Sequence, residues 1–382
     1  MSSHSVYRRL WAYYFCYFVF IGIFMPYWSL YLQSLGFDAA AIAVLVSLQT
    51  VMRVFAPNVW GWLADRSGRR RWIIRLSANA SLLAFAGVFF GTSFGWLVAV
   101  TVAMSFFWSA SLPLVEATTF SVLKERTGDY GVIRAGGSIG FVLAVVGAGY
   151  FLDWSGITAL LWLLLAAKIG IAVSARGVPD VASPAHTAES DPVWRVLLRP
   201  PVLALLAACL LMAAAHGPFY AFFSIYLVDH GYSKGEVGWL WALGVIFEIG
   251  VFLFLPRLME RFSIRQILVF SFACGVVRFA LIGWGVSVPW LIALAQVLHA
   301  ATFGSYHAAA AAAIHRYFRG HHQARGQAFY TSLSFGVGGT LGTLASGYGW
   351  TAVGPALTFT VGSVAALAGL ALIVWRVRPD ES

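Results

Sequence analysis

Of the ionisable side chains that stand inside long apolar runs of this chain, His216, Glu248, Arg278 and His299 fall near the middle of their runs, and His307 is a further embedded histidine. Ionisable groups are costly in hydrocarbon, so where they occur they bind or relay by default. A buried cation such as Arg278 can hold an anion, and Arg53 is a second cation in an apolar run. A carboxylate or an imidazole can carry a proton, which makes Glu248, His299 and Glu116 candidates for proton exchange. A plainer alternative is a closed Glu248–Arg278 pair that only orders the C-terminal part of the chain. Glu116 can equally serve as a mere partner for Arg126 or Arg134. Lys168 lies within reach of the end of its run and reads as a cation that snorkels to the surface.

Aromatic side chains crowd two other runs. Tyr13, Tyr14, Tyr17, Tyr27, Trp28 and Tyr31 fall in the first, and Phe219, Tyr220, Phe222, Phe223 and Tyr226 in another. An aromatic wall beside a buried cation suits an aryl carboxylate, its ring stacked and its carboxylate paired. Interfacial belts of Trp and Tyr produce the same composition.

The elements that must position these groups are membrane helices. Of 382 residues, 60% are hydrophobic and 10% charged, against about 25% charged in soluble domains. The net charge of +10 is spread between apolar runs rather than gathered on one face, which excludes a nucleic-acid surface. Runs of about 20 apolar residues mark twelve spans, beginning near residue 11 and ending near residue 375. Arg8 and Arg9 precede a first run too long for a signal-peptide core, so it reads as a retained span. Alternate connectors collect the basic residues, from Arg8, Arg9 and Arg66 through Lys124 and Arg126 to Arg376 and Arg378. The opposite connectors hold Lys234 alone. By the positive-inside rule both termini are cytoplasmic. The polar connector 176–199, with Pro179, Pro184, Glu189 and Asp191, is a flexible linker between bundles 1–175 and 200–382.

Other signals are bland. Cys16, Cys209 and Cys274 lie in apolar segments without metal-ligand spacing and read as reduced packing residues. Gly336, Gly338, Gly339 and Gly342 sit within a span, as do Gly136, Gly137 and Gly140, so both groups suit helix packing rather than a nucleotide loop. No Walker sequence, metal cluster or nucleophile–base arrangement is present, and no cofactor is expected.

One polar loop carries a specific resemblance. Gly61-Trp62-Leu63-Ala64-Asp65-Arg66-Ser67-Gly68-Arg69-Arg70-Arg71 resembles the signature loop of the major facilitator superfamily at every motif position. Gly61 would permit close helix approach and Gly68 a tight turn. Asp65 would act as a latch, with Arg66, Arg69 and Arg70 completing the gating motif, and Arg69 to Arg71 would anchor the loop to anionic lipid. The corresponding stretch Pro256–Arg265 keeps only Glu260-Arg261 and Arg265 of the motif. The resemblance implies an all-α polytopic protein of twelve transmembrane helices in two pseudo-symmetric six-helix bundles, with alternating access.

Ala215-His216-Gly217-Pro218-Phe219-Tyr220, Ile246-Phe247-Glu248, Gly275-Val276-Val277-Arg278 and Gln296-Val297-Leu298-His299 resemble the phenylpropionate-transporter group, itself similar to the lactose permease type. The resemblance implies proton-coupled uptake of a small aromatic monocarboxylate by a monomer in the inner membrane. Arg278, Arg53, His216, Tyr27, Trp28 and Tyr220 would then bind substrate, and Glu248, His299 and Glu116 would couple protons. The sugar symporter's carboxylate one turn after the histidine is here Thr302, so its coupling scheme does not transfer directly. The alternatives are a sugar or nucleoside symporter, a drug or metabolite exporter of the same fold, and a non-transporting membrane sensor.

Overall fold

A computed structural model describes residues 3–123, 129–180, 194–319 and 322–377. Lys124, Arg126, Arg378 and the linker residues Pro184, Glu189 and Asp191 lie outside the described residues. Everything regular among the described residues is helical. Hydrocarbon offers no partner for backbone N–H and C=O, so apolar runs of this length satisfy those groups within the helix.

The helices are α1 (Ser3–Ser34), α2 (Ala39–Ser67), α3 (Arg70–Ala86), α4 (Phe94–Leu123), α5 (Tyr130–Ser155) and α6 (Leu160–Ala175). A single turn, α7 (Trp194–Leu197), precedes α8 (Pro200–Ala215), α9 (Gly217–Asp229), α10 (Lys234–Arg261) and α11 (Ile264–Gly285). Then come α12 (Pro289–His299), α13 (Tyr306–Tyr317), α14 (Gln323–Thr331), α15 (Gly339–Ala352) and α16 (Pro355–Arg376). Among the described residues, ten stretches are long and apolar enough to cross a membrane. Two further helical columns are each interrupted by a π-helical segment: α12–α13 by Ala300–Ser305, and α14–α15 by Ser332–Gly338. They accord with the twelve expected spans.

The chain forms two compact units. The first comprises Met1–Phe37, Leu48–Thr187 and Ser233–Trp239; the second comprises Asp38–Ser47, Ala188–Tyr232 and Leu240–Ser382. In the first unit α1 and α5 cross closely, because a Cβ on Gly140 would fall 2.6 Å from the Phe15 carbonyl oxygen. The second unit repeats this pairing with α8 and the glycine-rich column: a Cβ on Gly338 would fall 2.5 Å from the Leu210 carbonyl oxygen. Both glycine groups are thus packing surfaces. Cys209 and Cys274 are buried, Cys16 is half-buried, and all three are free thiols.

The first two turns of α10 belong to the first unit, where Asp153 at the end of α5 caps them. Its carboxylate accepts from the backbone N–H of Lys234 (2.9 Å) and Gly235 (2.8 Å). Its Oδ1 also lies 3.5 Å from Lys234 Nζ. Tyr27 of α1 faces the same place, its hydroxyl 2.7 Å from the Val145 carbonyl and 3.0 Å from that of Lys234.

Candidate functional site

Arg278 is fully buried within the second unit, on the buried face of α11. Its Nε donates to the Ala295 carbonyl at 3.1 Å. Its Nη1 donates to His216 Nε2 at 3.1 Å and to Thr302 Oγ1 at 3.3 Å. The guanidinium carbon sits 4.2 Å from the Phe219 ring centroid and 5.2 Å from that of Phe279, a cation–π arrangement that is worth most when desolvated. Its Nη2 has no hydrogen-bond partner among the described residues.

The local folding explains each contact. His216 stands at the junction of α8 and α9, and its Nδ1 is 2.8 Å from the Met212 carbonyl. A carbonyl only accepts, so Nδ1 carries the proton and Nε2 is left to accept from Arg278. His216 therefore orients the guanidinium as a neutral imidazole and leaves its charge uncancelled. Thr302 reaches Arg278 from the π-helical segment Ala300–Ser305. Such segments re-aim side chains and recur at functional sites. The Thr302 hydroxyl donates to the His299 carbonyl at 3.3 Å and keeps its lone pairs for Arg278.

Aromatic rings enclose this cation. Trp241 lies 4.7 Å from Phe219 between centroids and anchors its Nε1 on Ser224 Oγ at 3.0 Å. Tyr220 stacks on His216 at 5.9 Å. His299 packs between Phe219 (5.7 Å) and Phe303 (5.5 Å), and its Nε2 lies 3.8 Å from a Glu248 carboxylate oxygen. Of the sequence candidates, His216, Tyr220, Glu248, Arg278 and His299 thus share one cluster. Arg278 is held by a backbone carbonyl, His216 and Thr302, while Glu248 faces His299.

The candidates in the first unit have separate partners. Arg53 is exposed, its guanidinium 5.1 Å from the Trp108 ring centroid. Glu116 is half-buried and accepts from the Tyr130 hydroxyl at 3.4 Å, while Arg134 lies over the Phe18 ring at 3.9 Å. Trp28 is stacked between Phe24 (5.0 Å) and Tyr31 (5.4 Å), and the Tyr27 hydroxyl faces the two backbone carbonyls described above. In the signature loop Gly68 ends α2 with φ +63° and donates to the Ala64 carbonyl at 3.0 Å. Asp65, Arg66 and Arg69 are exposed and Arg70 is buried. A Cβ on Gly61 would meet nothing within 4 Å, so the close approach expected there is not made in this conformation.

Lys168 corrects the sequence reading. It does not snorkel: the residue is 1% exposed. Its ammonium donates to Ser81 Oγ at 2.7 Å and sits 4.1 Å from the Phe20 centroid and 5.1 Å from that of Trp108. The helix turns it toward the aromatic face of α1 and α4, which sequence distance from a span end does not reveal. Gln296 was also missed. It is 1% exposed, and neither its Oε1 nor its Nε2 has a hydrogen-bond partner among the described residues. An uncharged amide does not interrupt an apolar run, so only the burial makes it conspicuous.

Residues 7–361 match the MFS_1 like family. The chain belongs to that family of the major facilitator superfamily. It is 32% identical over 359 residues to the "Probable 3-phenylpropionic acid transporter" of Escherichia coli (strain K12), covering 92% of this chain and 93% of the relative. The maltose permease of Geobacillus stearothermophilus is 26% identical, over 96% of this chain and 94% of that protein. The crystal structure of the nucleoside transporter NupG superposes with a TM-score of 0.81 at 18% identity, covering 97% of each chain. The protein is therefore a multi-pass membrane protein with the fold of a secondary transporter, and its family consists of transporters rather than enzymes.

Proposed function

We propose that this transporter takes up a small aromatic monocarboxylate together with protons. The observation that carries the reading is Arg278, a buried cation among aromatic rings with one guanidinium nitrogen still open to an acceptor. Its three other contacts are neutral, so its charge is available to a carboxylate, which a guanidinium recognises well. The rings of Phe219 and Trp241 provide the apolar wall for an aryl group. The similarity to a probable 3-phenylpropionic acid transporter points the same way. A sugar or a nucleoside lacks the fixed negative charge that this cation would hold.

Glu248 and His299 are the proton-carrying pair in this reading, with Glu116 a further candidate in the first unit. Arg53, His216, Tyr27, Trp28 and Tyr220 complete the proposed binding groups. The loop Gly61, Asp65, Arg66, Gly68, Arg69 and Arg70 gates the cycle. The bundles 1–175 and 200–382, joined by a cytoplasmic linker, move as a monomer in the inner membrane with both termini in the cytoplasm.

The experiment is uptake of labelled 3-phenylpropionate into proteoliposomes, with and without an imposed proton gradient. Gradient-dependent accumulation competed by other aryl acids is the expected result. Uptake of maltose or nucleosides in its place would overturn the substrate class, and gradient-independent uptake would overturn the coupling.

A further inference from the structure

The Gln296 carboxamide is fully buried, yet its donor and its acceptor both lack a partner among the described residues. Buried polar groups in folded proteins are paired in the great majority of cases, so each exception calls for a reason. Position supplies one. Gln296 is the residue after Ala295, whose carbonyl holds Arg278 Nε, and it stands one turn before His299. Facing it on α10 is Gly244, where a Cβ would come 3.5 Å from Gln296 Oε1 and 3.2 Å from His299 Cδ2. Glycine there preserves space around the amide, and Trp241 of the same helix forms the aromatic wall one turn earlier.

We infer that Gln296, across Gly244, is a specificity-determining residue that takes a hydroxyl on the aromatic ring of the substrate, so that the preferred cargo is a ring-hydroxylated aryl carboxylate. This rests on the aryl-carboxylate reading above and adds the second polar group to it. A primary carboxamide presents one acceptor and two donor hydrogens. A phenolic hydroxyl donates one hydrogen and accepts another, so it satisfies Oε1 and Nε2 together. A methyl or halogen substituent satisfies neither. Sites that hydrogen-bond a substrate hydroxyl discriminate strongly against the analogue lacking it, because their own polar groups are then left unpaired. The Arg278 Nη2 remains for the carboxylate.

The test is equilibrium binding to the full chain in lipid nanodiscs, with 3-phenylpropionate and its three ring-monohydroxylated forms as probes. Wild type is expected to bind one hydroxylated isomer at least about tenfold tighter than the unsubstituted acid. In Gln296→Leu that affinity ratio should fall to about one. Gly244→Ala, whose Cβ would occupy the space beside Oε1 at ordinary contact without removing the amide, should lower the ratio as well and covers the case in which Gln296→Leu does not fold. Equal wild-type affinity for all four acids overturns this inference alone. So does a ratio that survives both substitutions. Failure of wild type to bind any of the four overturns the aryl-carboxylate reading, and this inference with it.

Discussion

Arg278 and His216 meet through Nη1 and Nε2 at 3.1 Å, the imidazole acting as acceptor because its Nδ1 faces the Met212 carbonyl. A guanidinium held by a neutral ring is oriented but not neutralised. This arrangement differs from the carboxylate partner that usually accompanies a buried arginine. In ¹⁵N spectra of histidine-labelled protein, His216 should show a protonated Nδ1 and an unprotonated Nε2. His216→Glu would give Arg278 a fixed counter-charge, and anion affinity should fall by at least about tenfold, equivalent to about 1.4 kcal/mol. His216→Gln, which retains a neutral acceptor, should lose less. Equal losses in the two variants would show that the charge of Arg278 is not what the ligand reads.

Glu248 lies 3.8 Å from His299 Nε2, and Gly304 in the π-helical segment packs on its Cγ at 3.3 Å, measured to the position a Cβ would take. If this pair exchanges the proton, Glu248→Gln removes the group that must ionise while preserving its shape. Gradient-driven accumulation should fall at least about tenfold, as general acid–base groups commonly contribute 10²-fold or more. Exchange of labelled for unlabelled substrate at equal concentrations should persist. Loss of both would assign Glu248 to substrate binding or folding.

Arg278, Glu248 and His299 were legible because their types are conspicuous within apolar runs. Their pairing was not, since an error in helix rotation exchanges one partner for another. The Glu248–Arg278 pair that spacing allows gives way to His216 and Thr302 on one side and His299 on the other. Thr302 is brought into position by a π-helical turn, which no periodicity predicts. The fold was more accessible, since the length and charge asymmetry of the runs are set by the bilayer. Gln296 and Asp153 illustrate the remainder. One is an uncharged residue notable only when buried, the other a cap whose helix starts 81 residues away.

Lys168 gives a prediction in which stability and transport move in opposite directions. Its ammonium is buried with a serine hydroxyl and two aromatic faces. Replacing a buried polar group with an apolar one of similar length is often neutral or stabilising. Lys168→Met should leave the unfolding midpoint unchanged or raise it, while the transport rate falls at least about fivefold because intramembrane cations are retained for function. A variant that unfolds at lower temperature yet transports normally would make Lys168 a packing residue.

Asp65 ends α2 in the signature loop, two residues before the tight turn at Ser67 and Gly68. If the loop gates alternation, Asp65→Asn should slow exchange severalfold without altering the order of ligand preference. Stopped-flow binding and counterflow measured together separate the two effects. A changed preference would place Asp65 in ligand selection.

Asp153 takes two backbone N–H groups at the start of α10 and lies 3.5 Å from Lys234 Nζ. The first N–H groups of a helix have no partner within it, so a carboxylate supplied by a neighbouring helix performs the function of an N-cap. Both side chains are partly exposed, 25% for Lys234 and 30% for Asp153, which keeps the ion pair itself weak. The backbone bonds therefore contribute most of the stabilisation. Asp153→Ala should destabilise the protein by about 1 kcal/mol, the usual cost of losing a cap. Lys234→Ala should cost less, because it removes only the exposed charge. Asp153→Asn, which retains one acceptor, should fall between them. Thermal unfolding of the three variants at low and high salt checks the order. If Lys234→Ala proves the most damaging and its effect vanishes at high salt, the charge pair rather than the cap holds α10 in place.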